Sequence, residues 1–232
     1  MPSLLAIPGT LCAPSVFDRL ADRLNGEVAV QGVSWLTEPG PWDIPAVAER
    51  IAQRFPEPGL VLGHSTGGAI ALQLAIEHPE RVQGLILVNT GAHTRGHGDL
   101  DRILATMQDN WGPELHAALI DRSFAAPPDP ADRAALLAYA AKIPAAAALA
   151  AVRSQRDLDF SPGLGEIRCP VTVIHGELDT ARTVEQAQEL ADGIPGARLC
   201  LVRTGHTPVY EAPEKVAREV VLLSRIERGY GR

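Results

Sequence analysis

A serine flanked by small residues, Gly63-His64-Ser65-Thr66-Gly67, follows directly on the apolar run Leu60-Val61-Leu62 and precedes a helix-period stretch from Ala69 to Ile76. A strand that turns sharply into a helix needs small residues on either side of the turning position, and it holds that position's side chain out where another molecule can meet it. The turn also sets Ser65 at the positive end of a helix, where amides without intrahelical acceptors favour a developing oxyanion. Because a serine hydroxyl is a weak nucleophile near neutral pH, the pattern carries chemistry only with a base and an acid to orient that base. His206, in Arg203-Thr204-Gly205-His206-Thr207-Pro208, stands just after the last strand candidate and can take the serine proton and return it to a leaving group. Asp179, in His175-Gly176-Glu177-Leu178-Asp179, follows the preceding strand candidate and can hold the imidazole in one tautomer. Glu177 competes for that place; Asp179 is preferred because it lies further past the strand end, where a side chain can turn back. His78, before Pro79, reads as a helix end and His175 as a strand end. The chemistry expected is acyl transfer through a covalent serine intermediate.

The elements that must position these groups alternate. Short apolar runs at Leu4 to Ile7, Val28 to Val33, Leu60 to Gly63, Leu85 to Asn89, Val171 to His175 and Leu199 to Val202 read as strands. Between and after them, Ser15 to Leu24, Pro45 to Phe55, Thr66 to His78, Val184 to Asp192 and Pro213 to Arg228 have helical period and length. This alternation predicts an α/β fold with a doubly wound, mainly parallel sheet of about six strands. The rhythm breaks from about residue 93 to residue 161. There, Ala-rich helical stretches (Leu100 to Met107, Glu114 to Ser123, Ala131 to Lys142, Ala145 to Arg156) follow one another without a strand, with Pro127, Pro128 and Pro130 marking a turn. The expected organisation is one domain over 1–232 with an inserted helical cap at 93–161.

Bulk properties narrow the partners. The chain has 232 residues, 46% apolar and 21% charged, enough for one ordinary core. A net charge of -7 gives no basic field for a phosphate backbone or an anionic membrane, so neither nucleic acid nor membrane is expected as a partner. No apolar run approaches the ~20 residues of a membrane span, and the start of the chain does not read as a secretory signal. Three cysteines (Cys12, Cys169, Cys200) make neither a disulfide framework nor a ligand set, and a cytoplasmic setting is the simplest expectation. Cys12 is expected as a small buried side chain rather than a second nucleophile. His93, His97 and His116 are irregularly spaced without acidic or thiolate partners, so no metal is assigned, and no cofactor is expected.

The chain resembles the α/β-hydrolase superfamily, in the branch with a helical cap. The resemblance rests on Pro8-Gly9-Thr10, Gly63-His64-Ser65-Thr66-Gly67-Gly68, Gly176-Glu177-Leu178-Asp179, and Gly205-His206 followed by Glu211-Ala212-Pro213-Glu214, in that order. It implies an oxyanion hole made by the backbone amides of Thr10 and Thr66, although Pro8 replaces the histidine common in that first loop. Many relatives carry an antiparallel hairpin before the first strand; the sequence opens on that strand, consistent with about six strands. The cap is expected over Ser65, with Trp35, Met107, Trp111, Phe124 and Tyr139 as candidate pocket residues; residue by residue, ordinary core packing is the competing reading. A low aromatic content of 4% suggests a mainly aliphatic pocket.

The leading expectation is a serine hydrolase acting on a small or medium carboxylic ester, lactone or thioester. The resemblance admits carbon–carbon bond hydrolysis, amide hydrolysis and acyl transfer or cyclisation with the same residues. A reading of another class is a non-catalytic small-molecule receptor of this fold. The oligomeric state is left open.

Overall fold

The computed structural model describes residues 1–96 and 98–230. Its centre is a six-stranded parallel sheet made of β1 (Ser3–Ile7), β2 (Ala29–Gly32), β3 (Gly59–His64), β4 (Val82–Val88), β5 (Val171–Gly176) and β6 (Arg198–Val202), in the order β2-β1-β3-β4-β5-β6. Strands covered on both faces read as continuous apolar runs, and Leu60, Val61 and Leu62 of β3 and Leu85 to Val88 of β4 are buried accordingly. One edge falls on β2, which is short and largely exposed, and the other on β6.

Three helices lie beside or after the first strands: α1 (Asp18–Leu24), α2 (Ile44–Arg54) and α3 (Thr66–Glu77). Asp43 caps α2 by accepting from the Ala46 amide at 3.1 Å, and the stripe Ile44, Val47, Ala48, Ile51 and Ala52 is buried. α3 is apolar around most of its circumference, as a helix enclosed between sheet and cap must be. Between β4 and β5 run α4 (Leu100–Asn110), α5 (Pro113–Arg122), α6 (Pro130–Ala140) and α7 (Ala145–Asp157). These form the cap, with α7 packed on α3 and α4, and α5 on α6. The last helices are α8 (Val184–Gly193), entered through a Thr183/Gln186 capping box, the short α9 (Pro208–Glu211) and α10 (Pro213–Tyr230). The element order expected from the sequence is observed, with α9 and two short 3-10 helices, Pro79–Arg81 and Ser161–Glu166, as additions it did not anticipate. Among the described residues no single helix is long and apolar enough to cross a membrane.

The chain leaves β1 toward β2 on one side and returns to β3 on the other. The crevice beyond the carboxyl ends of β1 and β3 is therefore the point where the winding reverses, the place where open α/β sheets receive ligands.

Candidate active site

Ser65 occupies the turn from β3 into α3 with φ 55° and ψ −121°, a conformation that costs a non-glycine residue energy and persists only when its surroundings enforce it. Two close approaches enforce it. A Cβ on Gly67 would run into the carbonyl oxygen of Ile7 at the end of β1, and a Cβ on Gly63 would run into the carbonyl of Gly67. The Ser65 amide is tied to the Val88 carbonyl at 2.9 Å, so β4 holds the turn from its other side.

Three side chains from distant segments meet here. The Ser65 hydroxyl lies 2.9 Å from Nε2 of His206, and Nδ1 of His206 lies 2.7 Å from Oδ2 of Asp179. The Asp179 side chain is wholly buried. Burial would raise its pKa, but hydrogen bonds from His206, Asn89 and the Ala181 amide outweigh it and hold the carboxyl well below the usual carboxylate range. The competing acid, Glu177, is exposed. Such a chain can pass a proton from the serine to the imidazole while the carboxylate stabilises the imidazolium.

The loop bearing His206 is clamped on several sides. His64 donates from Nε2 to the His206 carbonyl at 2.8 Å; its burial and the neighbouring His206 push its own pKa down to about 3, so it serves as a neutral donor. Glu211 of α9 accepts from the Gly205 amide at 2.9 Å and from the Ala125 amide of the cap at 2.8 Å. Asn89, fully buried with φ 46°, donates to Asp179 Oδ2 at 2.7 Å and accepts from the Gly176 amide at 3.2 Å. Sequence reasoning gave no role to Asn89, and it held Glu211 only as part of the motif after His206, without a role. An Asn directly after a strand, tolerant of a left-handed backbone, was the available signal for the first.

Thr10 and Thr66 approach each other across the crevice, their hydroxyls 2.9 Å apart, and the Thr66 hydroxyl donates to Gln155 of α7 at 3.2 Å. Thr66 opens α3, where the first amides lack intrahelical acceptors. Thr10 sits in a turn closed by the Cys12 amide on the Gly9 carbonyl at 3.1 Å. Both face a cleft with about 1080 Å³ of space, the open solvent at its mouth included, that also receives Ser65 and His206. Its apolar wall includes Leu11, Leu100, Ile103, Met107, Phe124 and Leu136, mainly aliphatic.

Of the five side chains expected at the pocket, Met107 and Phe124 line this cavity, whereas Trp35, Trp111 and Tyr139 do not. Trp35 is buried behind the first loop, where its indole N–H donates to the Pro8 carbonyl at 3.0 Å. Trp111 turns into the cap, donating to the Ile143 carbonyl at 3.1 Å with its ring edge-on to His116. Tyr139 meets the Ser34 hydroxyl at 2.9 Å. Each has a polar atom that found a partner outside the cavity, which set its direction. Cys12 does line the cavity, but burial pushes its thiol up to about 12, which leaves it protonated and unreactive. His93 pairs with Glu189 at 2.8 Å, His116 packs against Trp111, and His97 lies outside the described residues. Among the described residues, no group of three or more His, Cys, Asp or Glu side chains is placed to hold a metal.

A family model described as "Alpha/beta hydrolase family" matches residues 4–219. A pimeloyl-[acyl-carrier protein] methyl ester esterase of Aromatoleum aromaticum is 28% identical over 253 residues, covering 98% of this chain and 99% of the relative. The protein of the same name from Nitrosomonas europaea is 28% identical over 232 residues, 92% of each. Among solved structures, the enol-lactonase from Burkholderia xenovorans superposes with a TM-score of 0.84 at 21% identity, covering 97% of this chain and 91% of that one. An esterase from Exiguobacterium antarcticum gives 0.85 at 21% identity, covering 95% and 91%. At that identity the structural likeness speaks to the fold.

Proposed function

Because the chain belongs to the alpha/beta hydrolase family, we propose that it hydrolyses a small or medium carboxylic ester through an acyl-enzyme on Ser65. The observation that carries this reading is the unbroken relay from the Ser65 hydroxyl through His206 to buried Asp179, opening onto a cavity under the cap. In the first half-reaction Ser65 Oγ attacks the ester carbonyl as its proton passes to His206 Nε2. The oxyanion that forms is received by the amides of Thr10 and Thr66, and collapse expels the alcohol, which takes the proton from His206. A water, deprotonated by the same imidazole, then releases the acid and restores Ser65. Asp179 keeps Nδ1 protonated throughout and balances the imidazolium.

The relatives from Aromatoleum aromaticum and Nitrosomonas europaea are named for a methyl ester of an acyl chain, which makes methyl esters of aliphatic acids the first substrate class to offer. The aliphatic wall suits such a chain, and a lactone or thioester reaches Ser65 by the same chemistry. We read 93–161 as a cap unit inserted into one domain over 1–232. All three cysteines are free, which fits a reducing compartment, and the cytoplasm is the setting proposed.

A fluorophosphonate probe is expected to add once, on the peptide bearing Ser65 by mass, and p-nitrophenyl acetate and butyrate are expected to be turned over many times. A folded protein that is neither labelled nor active would overturn the reading. Asn89→Ala is expected to lower kcat by about tenfold to a hundredfold with KM nearly unchanged, because Asp179 loses one of the donors that aim it and the buried Gly176 amide loses its acceptor. A rise in KM at constant kcat would show instead that Asn89 acts on substrate binding.

A further inference from the structure

One charged group on the cavity wall takes no part in the relay. Arg182, between the Asp179 loop and α8, is 4% exposed, yet it lines the same cavity as Ser65 and His206. A guanidinium carries five N–H donors. Among the described residues, its hydrogen bonding is confined to Nη1 donating to the His93 carbonyl at 2.7 Å. Asp179 acts on it through charge alone, its hydrogen bonds being made with His206, Asn89 and the Ala181 amide. Glu189, further along α8, is engaged by His93. Gly91 packs close beneath, where a Cβ would stand 3.1 Å from Nη1, so the guanidinium has little room to turn away. Burial pulls its pKa down to about 10, which still leaves it charged at neutral pH.

A buried cation without a hydrogen-bonded acid partner is costly unless something else satisfies it, and a planar fork of free donors matches a carboxylate. Building on the esterase reading, we propose that Arg182 is the subsite for a carboxylate at the far end of the acyl chain, so that the preferred substrate is the monoester of an aliphatic dicarboxylic acid. The ester end lies at Ser65, the aliphatic wall covers the methylenes, and the distal carboxylate meets Nε and Nη2 of Arg182. Arg122, exposed at the cavity wall, adds a second positive charge along the way in.

The test compares kcat/KM for the monomethyl esters of succinic, adipic and suberic acids with the same esters carrying a terminal carboxamide, in wild type, Arg182→Gln and Arg182→Lys. Wild type is expected to favour the carboxylate by about tenfold to a hundredfold at the chain length that spans the cavity. Arg182→Gln, which keeps a donor for the His93 carbonyl, is expected to bring that ratio to one or below, and Arg182→Lys to retain part of it. A wild-type ratio of one or less at every length, or an unchanged ratio in a folded Arg182→Gln protein, overturns the subsite. Binding is followed separately by saturation-transfer NMR of the monoesters on Ser65→Ala and on Ser65→Ala/Arg182→Gln. Binding lost in the double variant, without turnover of any ester by wild type, keeps the subsite and removes the esterase reading; turnover of both series without discrimination removes the subsite alone.

Discussion

Ser65→Ala is expected to abolish labelling by fluorophosphonate and to cut ester turnover by about 10⁴- to 10⁶-fold while leaving the fold intact. The magnitude follows from the way members of such a relay act as one unit, so that loss of the nucleophile forfeits the contribution of His206 and Asp179 as well. Intact folding follows from the geometry. The strain at φ 55° belongs to any residue with a Cβ, so alanine inherits it without adding to it. The hydroxyl's hydrogen bond goes to His206, whose position is kept by Asp179 through Nδ1 and by His64 through the backbone carbonyl. Circular dichroism melts should therefore coincide with wild type within a few degrees. Activity above about one per cent of wild type would mean that another group performs the attack.

The second large effect separates two acids only two positions apart. Asp179→Asn is expected to lower kcat by about 10³- to 10⁴-fold, whereas Glu177→Gln should change it less than about threefold. Asp179 receives three donors on its two oxygens: His206 Nδ1 and Asn89 Nδ2 at 2.7 Å each on Oδ2, and the Ala181 amide at 2.7 Å on Oδ1. An asparagine has a single acceptor oxygen, so in either orientation its NH₂ meets a donor, and the imidazole is driven toward the wrong tautomer. Glu177 is exposed, and its place in the fold is held by its backbone amide on the Val202 carbonyl at 2.8 Å. Steady-state kinetics on the two variants decide the matter; the opposite ranking would assign the acid to Glu177.

The carboxyl of Asp179 also sets a pH dependence with a definite sign. Its folded pKa lies below its unfolded value, so its stabilising contribution is present above the unfolded pKa of about 4 and is lost as pH falls through the folded value. The stability gap between wild type and Asp179→Asn in urea melts should therefore be constant near neutrality and narrow below about pH 4. Over the same neutral range Asp179 stays ionised and contributes no acid limb to the rate profile.

How much of this was legible in the sequence depends on the reach of each interaction. The strand-turn-helix around Ser65 is encoded within a few residues, by Gly63, Gly67 and the apolar runs on either side, and so could be read locally. The order of strands and helices followed from hydrophobic period, and the helical run between Leu100 and Asp157 from the absence of any strand pattern. His206 and Asp179 were nominated by their places after two strands, and the parallel sheet brings His206 within hydrogen-bond distance of both Asp179 and Ser65. What the sequence by itself determined, then, is the set of elements, their order and the residues standing at their carboxyl ends. Only the tertiary structure decided which other side chains face the cavity. Trp35, Trp111 and Tyr139 were drawn elsewhere by hydrogen-bond partners at Pro8, Ile143 and Ser34, while Met107 and Phe124, without such demands, stayed at the wall. Asn89, Glu211, Gln155 and Arg182 acquire their partners across the fold, through contacts that exist once β4, β5, α9 and the cap have packed together. A local turn is set by sterics within a few bonds, whereas the direction of a side chain is set by the packing and hydrogen-bond demands of residues far away in the chain.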